Sequence, residues 1–205
     1  MVGYNVQAAV DIKHHLIVAH EVTNVGTDRA QLCSIAQQTK AALKADALDV
    51  VADRGYYKGE EILACEKAGI TVTLPKQLSS GIKAKGRFGK QDFRYVKEED
   101  VYICPAVERL VYHYTKQEKG LTLHRYWTNV CQNCAIKQDC TTGKERRITR
   151  WEHESVLEAV QRRLNEHPEK MRQRRETVEH PFGTIKYWMG YTHRNMLLGA
   201  VNWLR

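Results

Sequence analysis

The order of strand and helix patterns in the first third of the chain is the feature that most limits its fold. Apolar and polar residues alternate from Tyr4 to Asp11, and a second strand pattern covers Leu16 to Val22. Residues 13–15, Lys-His-His, predict a hairpin turn between them. Two helix–strand pairs follow. They are a helix from Thr27 or Asp28 to about Lys44, a strand at Leu48–Ala52, a helix at 59–68 and a strand at 71–74.

This β-β-α-β-α-β order predicts an α/β fold with a mixed sheet, because the helices serve as crossovers between parallel strands. In such sheets, ligands collect at the carboxyl ends of the strands. Asp53 stands at the end of the strand Leu48–Ala52, so one interpretation places it in a ligand site. A turn residue or a helix cap is the other interpretation, and for a single aspartate it is the more common one.

A second candidate region lies near the C-terminus, where Arg175, Glu179 and Lys186 are separated by four and seven residues. At helical pitch both steps return to nearly the same face. A carboxylate between two cations can hold a metal ion and contact a phosphate, although exposed charge pairs give the same spacing. If this helix packs beside the sheet, Glu179 and Asp53 can meet at Mg²⁺ or Mn²⁺. Pro181 lacks an N–H, so the helix is expected to kink or restart there.

Composition indicates the class of partner. The chain has 205 residues, 42% of them hydrophobic, which is enough for a core. No apolar run is long enough to cross a bilayer, and the N-terminus lacks the layout of a secretory signal. A net charge of +8, with seven cations against one acid between Lys76 and Lys97, favours nucleic acid. We therefore expect a cytoplasmic protein that binds DNA and does not contact membranes.

Four of the six cysteines lie close together in sequence. Cys131 and Cys134 have the spacing of a zinc knuckle, Cys140 follows, and Cys104 comes from a separate short strand. Clustered thiols in a cytoplasmic chain favour a metal over disulfides, and four thiolates suit tetrahedral Zn²⁺. Thiols without a metal are the alternative. Gly, Lys and short strand patterns dominate around them, so we interpret residues 76–150 as an insertion into the core.

Several segments together resemble the insertion-sequence DDE transposases. VVADRGYYKGEEIL at 50–63, with AGITVTLPK at 68–76, resembles the region of the family's second catalytic aspartate. The stretch around VEHPFGTIK at 178–186 is similar to the family's Tyr-Arg-Glu-Lys region. GYNVQAAVDIKHHLIVAHEVTN at 3–24 resembles the hairpin after the first catalytic strand. These segments follow the family's order and cover nearly the whole chain.

The resemblance implies roles for individual residues. Asp53 matches the second catalytic acid and Glu179 the third, and together they are expected to hold Mg²⁺ or Mn²⁺. Arg175 and Lys186 match the family's cations, whereas Arg172 stands where the family has a tyrosine. The implied activity is cleavage of transposon ends and strand transfer into target DNA. The implied active complex is a homodimer.

The resemblance also implies the domain organisation. Residues 1–75 are the N-terminal part of an RNase H-like core, a mixed sheet with flanking helices. Residues 76–150 are a small zinc-ribbon-like insertion, and residues 151–205 are C-terminal helices that complete the core and carry the third acid. In the family, the first strand is central in the sheet and carries the first catalytic aspartate. That strand would precede Met1, so we expect it and its acid to be missing.

A missing central strand leaves several hypotheses open. Its neighbours would keep unpaired N–H and C=O groups. Asp11 and Asp28 are candidates to replace the first acid, but Asp11 fits the end of a strand and Asp28 fits a helix cap. The chain is then a truncated catalytic domain or an inactive remnant that only binds DNA. A zinc-containing DNA-binding module that was never catalytic is the third hypothesis.

Overall fold

The computed structural model describes residues 4–77, 86–188 and 196–204. The described residues form two compact units. One combines the residues up to Gln77 with those from Ser155 onward, and the other lies between Leu78 and Glu154. Each unit has its own sheet and its own hydrophobic core.

Strands and helices alternate in the first unit, and strands predominate in the second. The described strands are β1 (Tyr4–Asp11), β2 (Ile17–Thr23), β3 (Leu48–Ala52), β4 (Ile70–Thr73), β5 (Arg94–Val96), β6 (Val101–Ile103), β7 (Arg109–Glu118), β8 (Leu121–Trp127), β9 (Ile148–Trp151) and β10 (Met196–Leu204). The described α-helices are α1 (Leu32–Leu43), α2 (Gly59–Lys67), α3 (Glu154–Glu166) and α4 (Glu169–Trp188). The predicted β-β-α-β-α-β order and the α/β class are confirmed.

The sheet of the first unit has the order β2-β1-β10-β3-β4. The strands β1 and β2 form the predicted antiparallel hairpin, and β3 and β4 are the predicted parallel pair. Strand β10 runs parallel to β1 and antiparallel to β3. The sheet is therefore mixed, as expected.

The position of β10 corrects two expectations. Residues 151–205 were expected to be helical, but Met196–Leu204 is a strand. The centre of the sheet was expected to lack a strand, but β10 lies there: Val201 pairs with Ala9 on one side and Ala52 on the other. The physical reason is hydrogen bonding, because β1 and β3 both present N–H and C=O groups that a strand between them can satisfy.

The core of the first unit lies under this sheet. Leu32, Ile35 and Ala36 of α1 are fully buried. They pack in one cluster with Val50 of β3 and Val160 of α3. This apolar layer holds the strands of the sheet in place, and the candidate site residues lie at the ends of these strands.

Two helix boundaries differ from expectation. Helix α1 begins at Leu32, after a short 3₁₀ helix at Asp28–Ala30 that is capped by the Thr27 hydroxyl. The helix was predicted to kink or restart at Pro181; α4 continues through this residue, so the restart is wrong and the kink stays a prediction. A proline removes only one N–H from the ladder, and tertiary packing of a long helix can outweigh that loss. Among the described residues, no helix combines the length and the hydropathy needed to cross a bilayer.

The second unit is an antiparallel sheet with the order β5-β6-β7-β8-β9. Short strands were expected in this unit, but β9 was not among them: the helical pattern was expected to start at Trp151, which instead ends a strand. The cluster of buried hydrophobic side chains in the described part of this unit is small. It consists of Phe93, Tyr102, Leu110, Tyr126 and Ile148.

Candidate functional site

Asp53 lies directly after β3, at the carboxyl end of the strand. It caps the short 3₁₀ helix Arg54–Tyr56, because its Oδ1 accepts a hydrogen bond of 3.3 Å from the Gly55 N–H. The Asp53 side chain is 54% exposed. Asp53 therefore caps the turn and also lies at the end of the strand, and its carboxylate still reaches solvent.

Helix α4 reaches Asp53 through an arginine that the sequence did not single out. Arg174 Nη2 donates to Asp53 Oδ2 at 3.2 Å, and the Arg174 side chain is only 15% exposed. The helix also packs against β3. This contact fixes α4, which carries Glu179, against the carboxyl end of the strand.

Asp28 lies close to the Arg54–Tyr56 turn. Its Oδ1 accepts hydrogen bonds from Asn5 Nδ2 at 2.7 Å and Gln7 Nε2 at 2.8 Å. A Cβ atom added at Gly55 would lie 3.2 Å from Asp28 Oδ2, so the glycine permits this close approach. The expectation that Asp28 caps a helix is wrong, because its carboxylate is used by two amides of β1 instead.

Asp11 has the structural role that was expected of it. It ends β1, and its carboxylate accepts from the backbone N–H groups of Lys13 at 3.1 Å and His14 at 3.2 Å. Burial acts to raise its pKa, but these hydrogen bonds and the His14 ring together lower it below the usual value. The carboxylate is thus occupied by the hairpin turn.

Tyr56 belongs to the core of the first unit and is linked to Asp28 through Gln7. The side chain is completely buried, and its hydroxyl donates to Gln7 Oε1. Burial raises the pKa of this hydroxyl well above its usual range, the Asp28 carboxylate adds to the rise, Arg174 opposes it, and Asp53 adds a smaller increase. Tyr56 therefore stays protonated and remains a donor beneath the acidic groups.

Replacing Tyr56 with phenylalanine is expected to lower the free energy of unfolding by about 1–3 kcal/mol, because Gln7 Oε1 loses its donor in a buried position. Urea denaturation measures this change. Tyr187→Phe is the matched control, since Tyr187 is 82% exposed, and it should change stability by less than about 0.5 kcal/mol. Equal midpoints for the two variants would contradict the buried hydrogen bond.

Glu179 and the cations near it lie on a different face of α4 from Arg174. Glu179, Arg172 and Arg175 are all exposed. Glu179 follows Arg174 by five residues, which turns it about 140° around the helix from the side that contacts Asp53. Lys186 lies in the same helix, but its side chain is outside the described residues. The structure thus brings Arg174 to Asp53, and the sharing of an ion by Asp53 and Glu179 stays a prediction.

Within residues 4–77, 86–188 and 196–204, no group of three or more His, Cys, Asp or Glu side chains is arranged to hold a metal ion. The residues that sequence reasoning missed are Arg174, Tyr56, Asn5 and Gln7. The sequence did contain a signal for Asn5 and Gln7. They alternate on a strand that is otherwise apolar, and both are buried, which is typical of polar side chains that have a specific partner.

The four clustered cysteines lie in the second unit. Cys104, Cys131, Cys134 and Cys140 all line one small cavity together with the apolar residues Phe93 and Leu110. None of the six cysteines, all of them within the described ranges, forms a disulfide.

Comparison with known proteins gives one family. The family model described as "Transposase DDE domain" matches residues 103–201. The matched region contains Arg172, Arg175, Glu179 and Lys186, as well as the four clustered cysteines. No curated protein and no solved structure matches the chain. By this match, residues 103–201 of the chain are similar to a DDE transposase domain.

Proposed function

We propose that this chain supplies the catalytic acids Asp53 and Glu179 of a transposase that cleaves transposon ends and transfers the strands into target DNA. The observation that carries the proposal is the 3.2 Å contact between Arg174 and Asp53. It holds the helix that bears Glu179 against the end of β3. The order β2-β1-β10-β3-β4 supports an RNase H-like core in which β10 occupies the central position.

The donor set fits a divalent cation of the Mg²⁺ or Mn²⁺ type. Asp53 is half exposed and Glu179 is exposed, so both carboxylates can give up water for an ion. Carboxylate oxygens are the ligands that these hard cations prefer. When bound, such an ion would polarise the scissile phosphate and favour an oxygen nucleophile.

The cations of α4 have two separate tasks in this proposal. Arg174 neutralises Asp53 while no ion is bound, and it keeps the helix in place. Arg172 and Arg175 are exposed and can contact DNA phosphates through charge-assisted hydrogen bonds. Lys186 is assigned to the same phosphate contacts from its place in the family motif. The active complex is proposed to be a cytoplasmic homodimer.

An inactive remnant that only binds DNA is the second candidate function. It is favoured by the position of Glu179, which lies about 140° around α4 from the residue that contacts Asp53. Such an offset places Glu179 away from the side of α4 that contacts Asp53. A remnant would keep the basic surface and its affinity for DNA without needing both acids at one ion.

Metal-dependent cleavage of DNA separates the two functions. The substrate is linear DNA that carries the ends of the element encoding this chain, and the protein is tested both as these 205 residues and with any in-frame residues encoded upstream. We expect cleavage at the ends with Mg²⁺ or Mn²⁺ and none with EDTA. Binding measured by fluorescence anisotropy without cleavage by either protein would favour the remnant.

A further inference from the structure

The four clustered cysteines come from three separate segments of the second unit. Cys104 follows β6, Cys131 and Cys134 belong to the turn at Asn129–Asn133 and its end, and Cys140 comes from a later turn. Tight backbone turns hold each segment. The Val107 N–H donates to the Cys104 carbonyl at 2.8 Å, and the Cys134 N–H donates to the Cys131 carbonyl at 3.4 Å. The fold itself thus gathers residues that are up to 36 positions apart in sequence (140 minus 104).

The surroundings of the four thiols are suited to a metal ion that prefers sulfur ligands. The four side chains line a common cavity whose wall is completed by apolar groups such as Phe93, Leu110 and Ile136. All four cysteines are half-buried. Thiolates around one cavity would repel one another, and a cation among them would offset this repulsion.

The segment that carries three of these cysteines has little else to hold it. Between β8 and β9 the chain contains turns and one short 3₁₀ helix, Asn129–Asn133. Among the described residues, the hydrophobic cluster of this unit is small and consists of Phe93, Tyr102, Leu110, Tyr126 and Ile148. Units with so small a core commonly need a metal or a disulfide to stay folded.

We propose that Cys104, Cys131, Cys134 and Cys140 bind one structural Zn²⁺ ion. Binding replaces four S–H protons by four Zn–S bonds, and the protons leave to solvent. The thiols must draw inward around the cavity until each sulfur lies about 2.3 Å from the ion. Four protein ligands close the tetrahedron and leave no position for substrate. The ion therefore stabilises the second unit and takes no part in DNA cleavage, so the inference is independent of the proposed function.

Metal content and a cobalt spectrum test the proposal directly. The full chain is purified without chelators, and zinc is measured per protein by mass spectrometry. We expect about one ion per chain. Co²⁺ added to the metal-free protein should give the intense visible absorption of tetrahedral cobalt with thiolate ligands, and Zn²⁺ should abolish it.

Matched serine variants locate the site. Cys131→Ser and Cys134→Ser should each lose most of the bound zinc and the cobalt absorption, whereas Cys33→Ser, in the first unit, should keep both. If the ligand variants fail to fold, the wild-type protein still decides, because EDTA should lower its melting temperature and Zn²⁺ should restore it. Zinc near zero with no cobalt signal would overturn the proposal. A Cys131–Cys134 disulfide in unreduced protein without metal would do the same.

Discussion

Asp53→Asn is expected to abolish metal-dependent cleavage of transposon-end DNA while leaving DNA binding intact. Asparagine has nearly the same volume, and its side-chain oxygen can still accept from the Gly55 N–H, so the turn after β3 is retained. The negative charge that would bind the ion is lost. The rate should fall by more than the roughly 10–100-fold that removing an outer-shell partner of a metal costs. Single-turnover cleavage with Mg²⁺ at saturating protein measures it.

Two further variants make this result specific. Glu179→Gln should lose cleavage to a similar extent, because it removes the other proposed carboxylate without shortening the side chain. Asp46→Asn is the control, since Asp46 is an exposed acid of the same unit and the charge change is identical. Cleavage by Asp53→Asn at the wild-type rate would remove this residue from the site. Equal losses in the control would point to net charge instead.

Asn202→Pro is expected to destabilise the first unit severely. Residue 202 pairs with Val10 of β1 and with Val51 of β3, so its backbone N–H faces a neighbouring strand whichever side it points to. Proline has no N–H and is excluded from central strands. The lost bond and the buried group left without a partner should lower the free energy of unfolding by about 3 kcal/mol or more. That is a large share of the 5–15 kcal/mol or so that is typical of a domain.

Asn202→Ala is the control for this experiment, because it shortens the side chain and keeps the N–H. The two variants are compared by urea denaturation followed by far-ultraviolet circular dichroism. If the proline variant unfolds at the same urea concentration as the alanine variant, β10 does not lie between β1 and β3. A proline variant that is insoluble while the alanine variant is soluble agrees with the central position.

The parts of the fold that were predictable are those specified by local sequence. Alternation from Tyr4 to Asp11 and the apolar run Leu48–Ala52 each specify a strand within a few residues, and the structure has both. Strand β10 was not predictable in this way. An apolar segment of nine residues suits a helix or a strand about equally, and the choice depends on partners almost 200 residues away.

In the candidate site, too, some features follow from local sequence and others depend on tertiary contacts. The position of Asp53 was predictable, because a polar residue after a buried apolar run falls at the carboxyl end of a strand. Its role as a metal ligand stays a prediction. Arg174 was missed, since nothing in the spacing of Arg174 and Arg175 shows which one faces the sheet. That distinction depends on the rotation of α4 about its axis, which is set by packing around buried residues such as Thr177. Tertiary contacts also determine that the Asp28 carboxylate accepts hydrogen bonds from side chains of β1 and does not cap a helix.

Strand β10 has a consequence for how the protein is made. During translation, the β1–β2 hairpin and the β3–α2–β4 unit leave the ribosome long before residues 196–204 are synthesised. Until then, the edges of β1 and β3 that pair with β10 lack this partner and can pair with other nascent chains. The sheet described here is therefore completed only after β10 has been synthesised. A chain whose synthesis stops before residue 196 would lack β10 and would be prone to aggregation through these strand edges.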